Sequence, residues 1–137
     1  MSENNIIDLP FPLPPFCELL GIEVVEIGDD GRSILSMPFH EKLRQPFGVL
    51  HGGAIFTLAD AAAAYALGGM VEGTKLYVTI EMKINYLAPV KDGLVEARAR
   101  VLREGRVVPI DVDVYNENKL VAKAIATYII LDQNKKL

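Results

Sequence analysis

The sequence is poor in the residue patterns that most directly announce chemistry. Only one cysteine, Cys17, occurs in 137 residues, so no internal disulfide forms. A secreted domain of this size more often carries a paired framework, and a reducing cytoplasm is the expected compartment. The two histidines, His40 and His51, make no H-x-x-x-H spacing and have no C-x-x-C pair beside them, so no metal site is expected. Serine is present as Ser2, Ser33 and Ser36, none in the G-x-S-x-G setting of a hydrolase elbow. Neither G-x-G-x-x-G nor a P-loop occurs, and dinucleotide or nucleoside-triphosphate chemistry lacks its signature.

Positive charge is also scarce. Fourteen Lys and Arg stand against 18 Asp and Glu, for a net charge of −4. No dense basic run exists, which argues against nucleic acid or an anionic membrane as partner and leaves at most a local basic spot for a small phosphorylated ligand. Long Leu/Ile runs are missing too. The longest apolar tract, Ala54 to Val71, is Ala/Gly-rich and interrupted by Asp60, so it reads as a buried helix rather than a membrane span. Met1 to Pro15 has neither the basic start nor the continuous apolar stretch of a signal peptide.

What is present is enough for one packed core. Half of the residues are hydrophobic and 23% charged, and the length fits a single domain. Residues 1–15, ending in Pro10, Pro12, Pro14 and Pro15, read as an extended arm, and 16–137 as the domain. A short helical turn over Phe16–Gly21 is followed by a hairpin, Ile22–Ile27 and Ser33–Pro38, about Gly28-Asp29-Asp30-Gly31. Residues 39–50, with Pro46 and Gly48, read as a loop. Gly52 and Gly53 open a helix over Ala54 to Leu67 that Gly68 and Gly69 close, apolar on all sides and therefore buried. The period then changes to two over Tyr77–Leu87, Leu94–Arg103, Arg106–Tyr115 and Lys119–Leu131. Their separators are too short for parallel crossovers, so successive strands are expected as antiparallel neighbours. The class is α+β in the order ββαββββ, a six-stranded antiparallel sheet round one central helix. One helix cannot cover both sheet faces, and a second subunit is expected on the far face or an edge.

Two features stand out as chemical. Asp60 lies among Leu58, Ala59 and Ala61 to Ala64. A carboxylate in such surroundings is costly unless hydrogen-bonded, so it is either a reactive group or one that faces a solvent strip or a loop. His51-Gly52-Gly53 precedes the same helix, where free N–H groups and the macrodipole favour developing negative charge. Taken singly, the histidine reads equally as a cap and the glycines as a turn.

The run Gln45-Pro46-Phe47-Gly48-Val49-Leu50-His51-Gly52-Gly53, followed by Leu58-Ala59-Asp60, closely resembles the hotdog-fold acyl-CoA thioesterases of the phenylacetate-degradation and 4-hydroxybenzoyl-CoA type. Val78 to Pro89 looks like the same family's strand after the helix, and the similarity spans residues 16–131. The resemblance implies a hotdog fold and hydrolysis of an acyl-CoA to free CoA and a carboxylic acid, with no cofactor. It implies that Asp60 is nucleophile or general base, that the Gly52 N–H polarises the thioester carbonyl, that Gln45 orients water or the carbonyl, and that Thr79 sits near the attacking carboxylate. His51 and Gly53 take supporting roles in the loop. Lys91, Arg103 and Arg106 are candidates for the CoA phosphates, or simply turn charges. A non-catalytic acyl-CoA sensor and an acyl-CoA hydratase are the alternatives on this fold. The first would need a DNA-binding appendage that the Pro-rich arm cannot form, and the second a histidine outside the thioesterase pattern.

Helix geometry adds an expectation about subunits. Gly52 and Asp60 are eight residues apart, about 12 Å along a helix axis. One carbonyl cannot easily meet both in one chain, so a homodimer with antiparallel central helices and shared sites is expected, assembled further as a dimer of dimers.

Overall fold

Glycine and proline punctuate the chain where their backbone chemistry requires. In the computed structural model, which describes residues 7–71, 73 and 75–132, α1 (Pro15–Leu19) opens on Pro15, at a position with no use for an N–H. Gly21, at φ +78°, closes it. Its N–H bonds to Glu18 O and that of Ile22 to Cys17 O, both at 3.0 Å, the paired bonding of a glycine-terminated helix. The hairpin follows as β1 (Glu23–Ile27) and β2 (Arg32–Pro38). The segment read as loop holds one 3₁₀ turn, Glu41–Leu43, and a single bridge between Arg44 and Leu50.

The central helix α2 (Gly52–Gly68) begins two residues before the expected Ala54, because His51 caps it: the imidazole Nδ1 accepts the Gly53 N–H at 2.7 Å. Both glycines thus lie in the first turn. After α2 come β3 (Lys75–Tyr86), β4 (Leu94–Val101), β5 (Val107–Asn116) and β6 (Lys119–Asp132). The ββαββββ order is as expected, and the six strands form one antiparallel sheet that curls round α2. Val108, Ile110, Val112 and Val114 of β5 are buried against it. Ala122, Ala124 and Ala126 of β6 are small enough to let the helix lie close. Ser33 Oγ donates to Ala62 O at 2.6 Å and ties β2 to the helix interior.

The strand order is β1-β2-β4-β5-β6-β3, and it corrects the expectation that successive strands are neighbours. β3 pairs with β6 at the far edge, while β4 lies beside β2. The link 87–93 need only cross the end of the sheet. Three strand spacings amount to about 14 Å, and seven residues reach about 23 Å. Short separators exclude a parallel return but do not force adjacency.

The described part of the arm packs on the domain through Phe11. Phe11 stacks on Tyr65 with ring centroids 4.1 Å apart, and the Tyr65 hydroxyl donates to Phe11 O at 3.2 Å. Residues 1–6 of the arm lie outside the described residues.

Candidate active site

Asp60 sits in the middle of α2, two turns in, and is half-buried. Its Oδ1 accepts two hydroxyl bonds, from Thr79 Oγ1 at 2.9 Å and from the Tyr128 phenol at 2.6 Å. The phenol also lies 2.9 Å from the Asp60 carbonyl oxygen. Thr79 of β3 and Tyr128 of β6 are cross-strand partners, so their side chains leave the sheet on one face, side by side.

A bulge makes that possible. The β3–β6 register shifts between Thr79 and Glu81. Met82 and Ile84 pack on the core, and strict alternation from them would turn Thr79 outward. The extra residue, Ile80, reverses the phase, so Thr79 meets Asp60 while Glu81 accepts from Thr127 on the outer face at 2.6 Å. Thr79 is nonetheless exposed, because β3 is the sheet edge.

Tyr128 is 2% exposed. Burial pushes its phenol well above the ordinary tyrosine range, and the Asp60 charge beside it pushes the same way. The group therefore stays a donor. Cys17 of α1 lines the same space, where burial, and then the Asp60 charge, raise its thiol above the usual value. It is held as an unreactive thiol.

These groups line an open cavity of about 950 Å³. Leu9, Pro10 and Phe11 from the arm, Ala61 and Ala64 from α2, and Tyr77 from β3 supply much of the rest of its wall, with Asp8, Thr57 and Lys75 as further polar groups. Gly68 is needed at its far end, since a Cβ there would meet the Tyr77 hydroxyl and stand 2.8 Å from Pro10 Cγ.

The start of α2 is a different place. The Gly53 N–H is used by the His51 cap. The Gly52 N–H, at the positive end of the helix dipole, finds no acceptor among the described residues. Tyr86 crosses over Gly52, donating to its carbonyl at 2.8 Å, and a Cβ there would stand 3.0 Å from the ring. Gln45 is half-buried in the preceding turn, where its Oε1 accepts from the Phe47 N–H. Neither Gly52 nor Gln45 lines the Asp60 cavity. Within one chain, then, Asp60 and Thr79 come together, whereas Gly52, Gly53, His51 and Gln45 form a second group at the helix start.

The basic candidates are also divided. Lys91 is exposed beside Val90, whose carbonyl bonds the Leu50 N–H at the Gly52 end. Arg103 and Arg106 are exposed at the opposite end of β4, where the Arg106 carbonyl accepts from the Ile130 N–H, close to Tyr128. Eight residues of β4 separate them, about 26 Å of strand. Arg106 and Lys75 line a small surface hollow of about 630 Å³. Among the described residues no group of three or more His, Cys, Asp or Glu could hold a metal ion.

Sequence reasoning missed Tyr128. Its signal was faint: it continues the buried alternation of Ala122, Ala124 and Ala126 and is an aromatic bearing a hydroxyl, which a buried site must satisfy. Its partner becomes visible only once β6 is known to pair with β3.

Comparison with known proteins points one way. The family model for the thioesterase superfamily matches residues 47–123, more than half of the chain. A 1,4-dihydroxy-2-naphthoyl-CoA hydrolase of Listeria monocytogenes is 35% identical over 89 residues, which are 65% of this chain and 72% of that protein. A solved thioesterase structure from Haemophilus influenzae has a TM-score of 0.82 at 33% identity, covering 88% of this chain and 85% of the other. A conserved protein of Pseudomonas aeruginosa has a TM-score of 0.84 at 38% identity, with 87% and 95% covered.

Proposed function

We propose, on the premise that this chain belongs to the thioesterase superfamily and is a thioester hydrolase, that it releases CoA and a carboxylic acid from an acyl-CoA at sites shared by two copies. The observation that carries this reading is the Asp60 carboxylate, held by two hydroxyls at the wall of a largely open cavity of about 950 Å³ partly lined by apolar side chains. The acyl group occupies the cavity. Its carbonyl carbon meets Asp60, which either attacks it, giving a mixed anhydride that water then cleaves, or takes a proton from a water that attacks. In both routes negative charge develops on the carbonyl oxygen, the C–S bond breaks and the CoA sulfur leaves and takes up a proton. A preorganised N–H contributes on the order of 3 kcal/mol toward that charge. The Gly52 N–H is the candidate donor. Gln45, with Oε1 already engaged, offers its amide N–H groups to water or the carbonyl.

Gly52 and Asp60 of one helix are about 12 Å apart along the axis, so the donor comes from a second copy with its helix antiparallel. The β3 edge supports this. It is 12 residues long and, among the described residues, has no strand on its outer side, and Ile80 and Tyr86 are about half exposed on it. The far sheet face, by contrast, is occupied by charge: Lys123 bridges Asp111 and Asp113 at 2.7 Å each. A two-fold across the β3 edge also brings the Lys91 end of one copy to the Arg103 and Arg106 end of the other, where CoA phosphates would lie. The finer assembly, a dimer of dimers, belongs to the same reading.

The chemistry uses a carboxylate, hydroxyls and a backbone donor, and calls for no cofactor. Cytoplasm is the compartment in this reading, consistent with a free buried Cys17. Among the described residues no helix is long and apolar enough to cross a membrane. The test is a panel of aliphatic and aromatic acyl-CoAs with free thiol as readout. Turnover that Asp60→Asn removes supports the reading. Tight acyl-CoA binding without release of thiol would make the protein a sensor, and hydration of an enoyl-CoA without thiol release would make it a hydratase.

A further inference from the structure

The two hydroxyl bonds to Asp60 end on the same oxygen. Thr79 Oγ1 and the Tyr128 phenol both reach Oδ1, and no donor to Oδ2 is found among the described residues. We infer that Tyr128 is a positioning residue for the reaction: with Thr79 it holds Oδ1, fixes the rotation of the carboxylate and leaves Oδ2 as the oxygen that attacks or takes the proton. The inference rests on the acyl-CoA thioesterase reading and adds to it a residue beyond the segment 47–123 that matches the family model.

Geometry supports the assignment in two ways, and the electrostatics around the carboxylate agree. A phenol has one proton and here two acceptors, the carboxylate at 2.6 Å and the Asp60 carbonyl at 2.9 Å. The proton goes to the nearer, charged acceptor, because charge-assisted bonds are the stronger. Tyr128 is also more closely confined than Thr79. It is 2% exposed on a strand paired on both sides, whereas Thr79 is exposed on the sheet edge. A rigid donor loses little freedom on holding the carboxylate and keeps its angle while substrate enters from the open side. Finally, the titratable groups of α1, β3 and β6 around the carboxylate, Cys17, Tyr77 and Tyr128, are all pushed upward by burial. They add no charge beside the carboxylate, and of the remaining charges in the cavity wall, Asp8 and Lys75 are both exposed.

Tyr128→Phe removes the hydroxyl and leaves the ring. A charge-assisted hydrogen bond is lost, so kcat is expected to fall at least about tenfold, with KM within about twofold because the acyl cavity is intact. A donor to the charged form favours that form, so its loss is expected to move the acidic limb of the pH–rate profile to higher pH. In an Asp60→Asn background the same substitution should cost no further activity. Unchanged kcat, a loss confined to KM, or an equal loss in the Asp60→Asn background would each overturn the inference. A second measurement needs no variant that must fold. With tyrosine labelled by ¹³C at Cζ in the unmodified protein, the Tyr128 signal should shift with the ionisation of Asp60. A signal flat across that transition overturns the inference even if Tyr128→Phe does not fold. If Asp60→Asn turns over normally, the thioesterase reading of the site fails, while this coupling still decides whether Tyr128 holds the carboxylate.

Discussion

The two halves of α2 are built on opposite plans. Around Asp60 the chain supplies its own hydroxyl donors to one carboxylate oxygen: helix, edge strand and its neighbour converge, and Tyr128 is buried beneath. Around Gly52 the chain spends its bonds on shaping the backbone. His51 caps Gly53, Gln45 folds back on Phe47, and the Gly52 N–H is left over. Phe47 in the same segment is 88% exposed. One half presents a reactive group beside a cavity, and the other presents a donor and an apolar side chain to the outside. In the proposed reading, neither half alone has both the carboxylate and the oxyanion donor that thioester cleavage would use.

The largest effect should come from the Asp60 half. Asp60→Asn keeps the volume and one acceptor oxygen for the Thr79 and Tyr128 hydroxyls, so the fold should survive, while kcat should fall at least about a hundredfold. Steady-state release of free thiol measures it, and near-normal turnover would remove Asp60 from the mechanism.

A second experiment joins the halves. Asp60→Ala and Gly52→Pro, the latter without a donor N–H, should each be inactive as homodimers. Unfolded and refolded together, they put both lesions into one site of the heterodimer and leave the other whole. Random pairing then restores about a quarter of full activity. Heterodimers present without activity would place each site within one chain.

Smaller losses should separate the supporting groups. Thr79→Ala and Gln45→Ala remove orienting groups that water can partly replace, so each should cost less than Asp60→Asn. Equal damage from either would show that the division between a reactive half and a shaping half is drawn in the wrong place. The smallest effect belongs to the basic ends. Neutralising Arg103 and Arg106 should raise KM for acyl-CoA and leave a truncated thioester without the nucleotide nearly unchanged. An equal rise for both substrates would exclude phosphate contacts there.

Much of the site was legible because its signals are local. Asp60 is conspicuous as the one charge in an Ala-rich helix, and His51-Gly52-Gly53 lies at a helix start whatever surrounds it. Lys91, Arg103 and Arg106 all read from the sequence as candidates for the CoA phosphates, but they flank strands that end on both sides of the sheet, and only topology tells which are together. Tyr128 was silent for a related reason. A tyrosine in a strand reads as core until its cross-strand neighbour is known, and that neighbour is set by the pairing of β3 with β6, which short separators did not reveal.

By itself the sequence determined everything that depends on neighbours along the chain. The element order, the turns at Gly21 and Gly31 with their positive φ, and the burial of α2 all follow from periodicity and backbone preference. Tertiary structure alone decided which strands pair, and through pairing, which face each side chain takes. The bulge at Ile80 is the clearest case. One extra residue, accommodated only because β6 lies alongside, turns Thr79 toward Asp60 and sets it beside Tyr128. Alternation along a strand is a local property, but its phase relative to the helix comes from register between segments some fifty residues apart, and register is set by packing the whole sheet round α2.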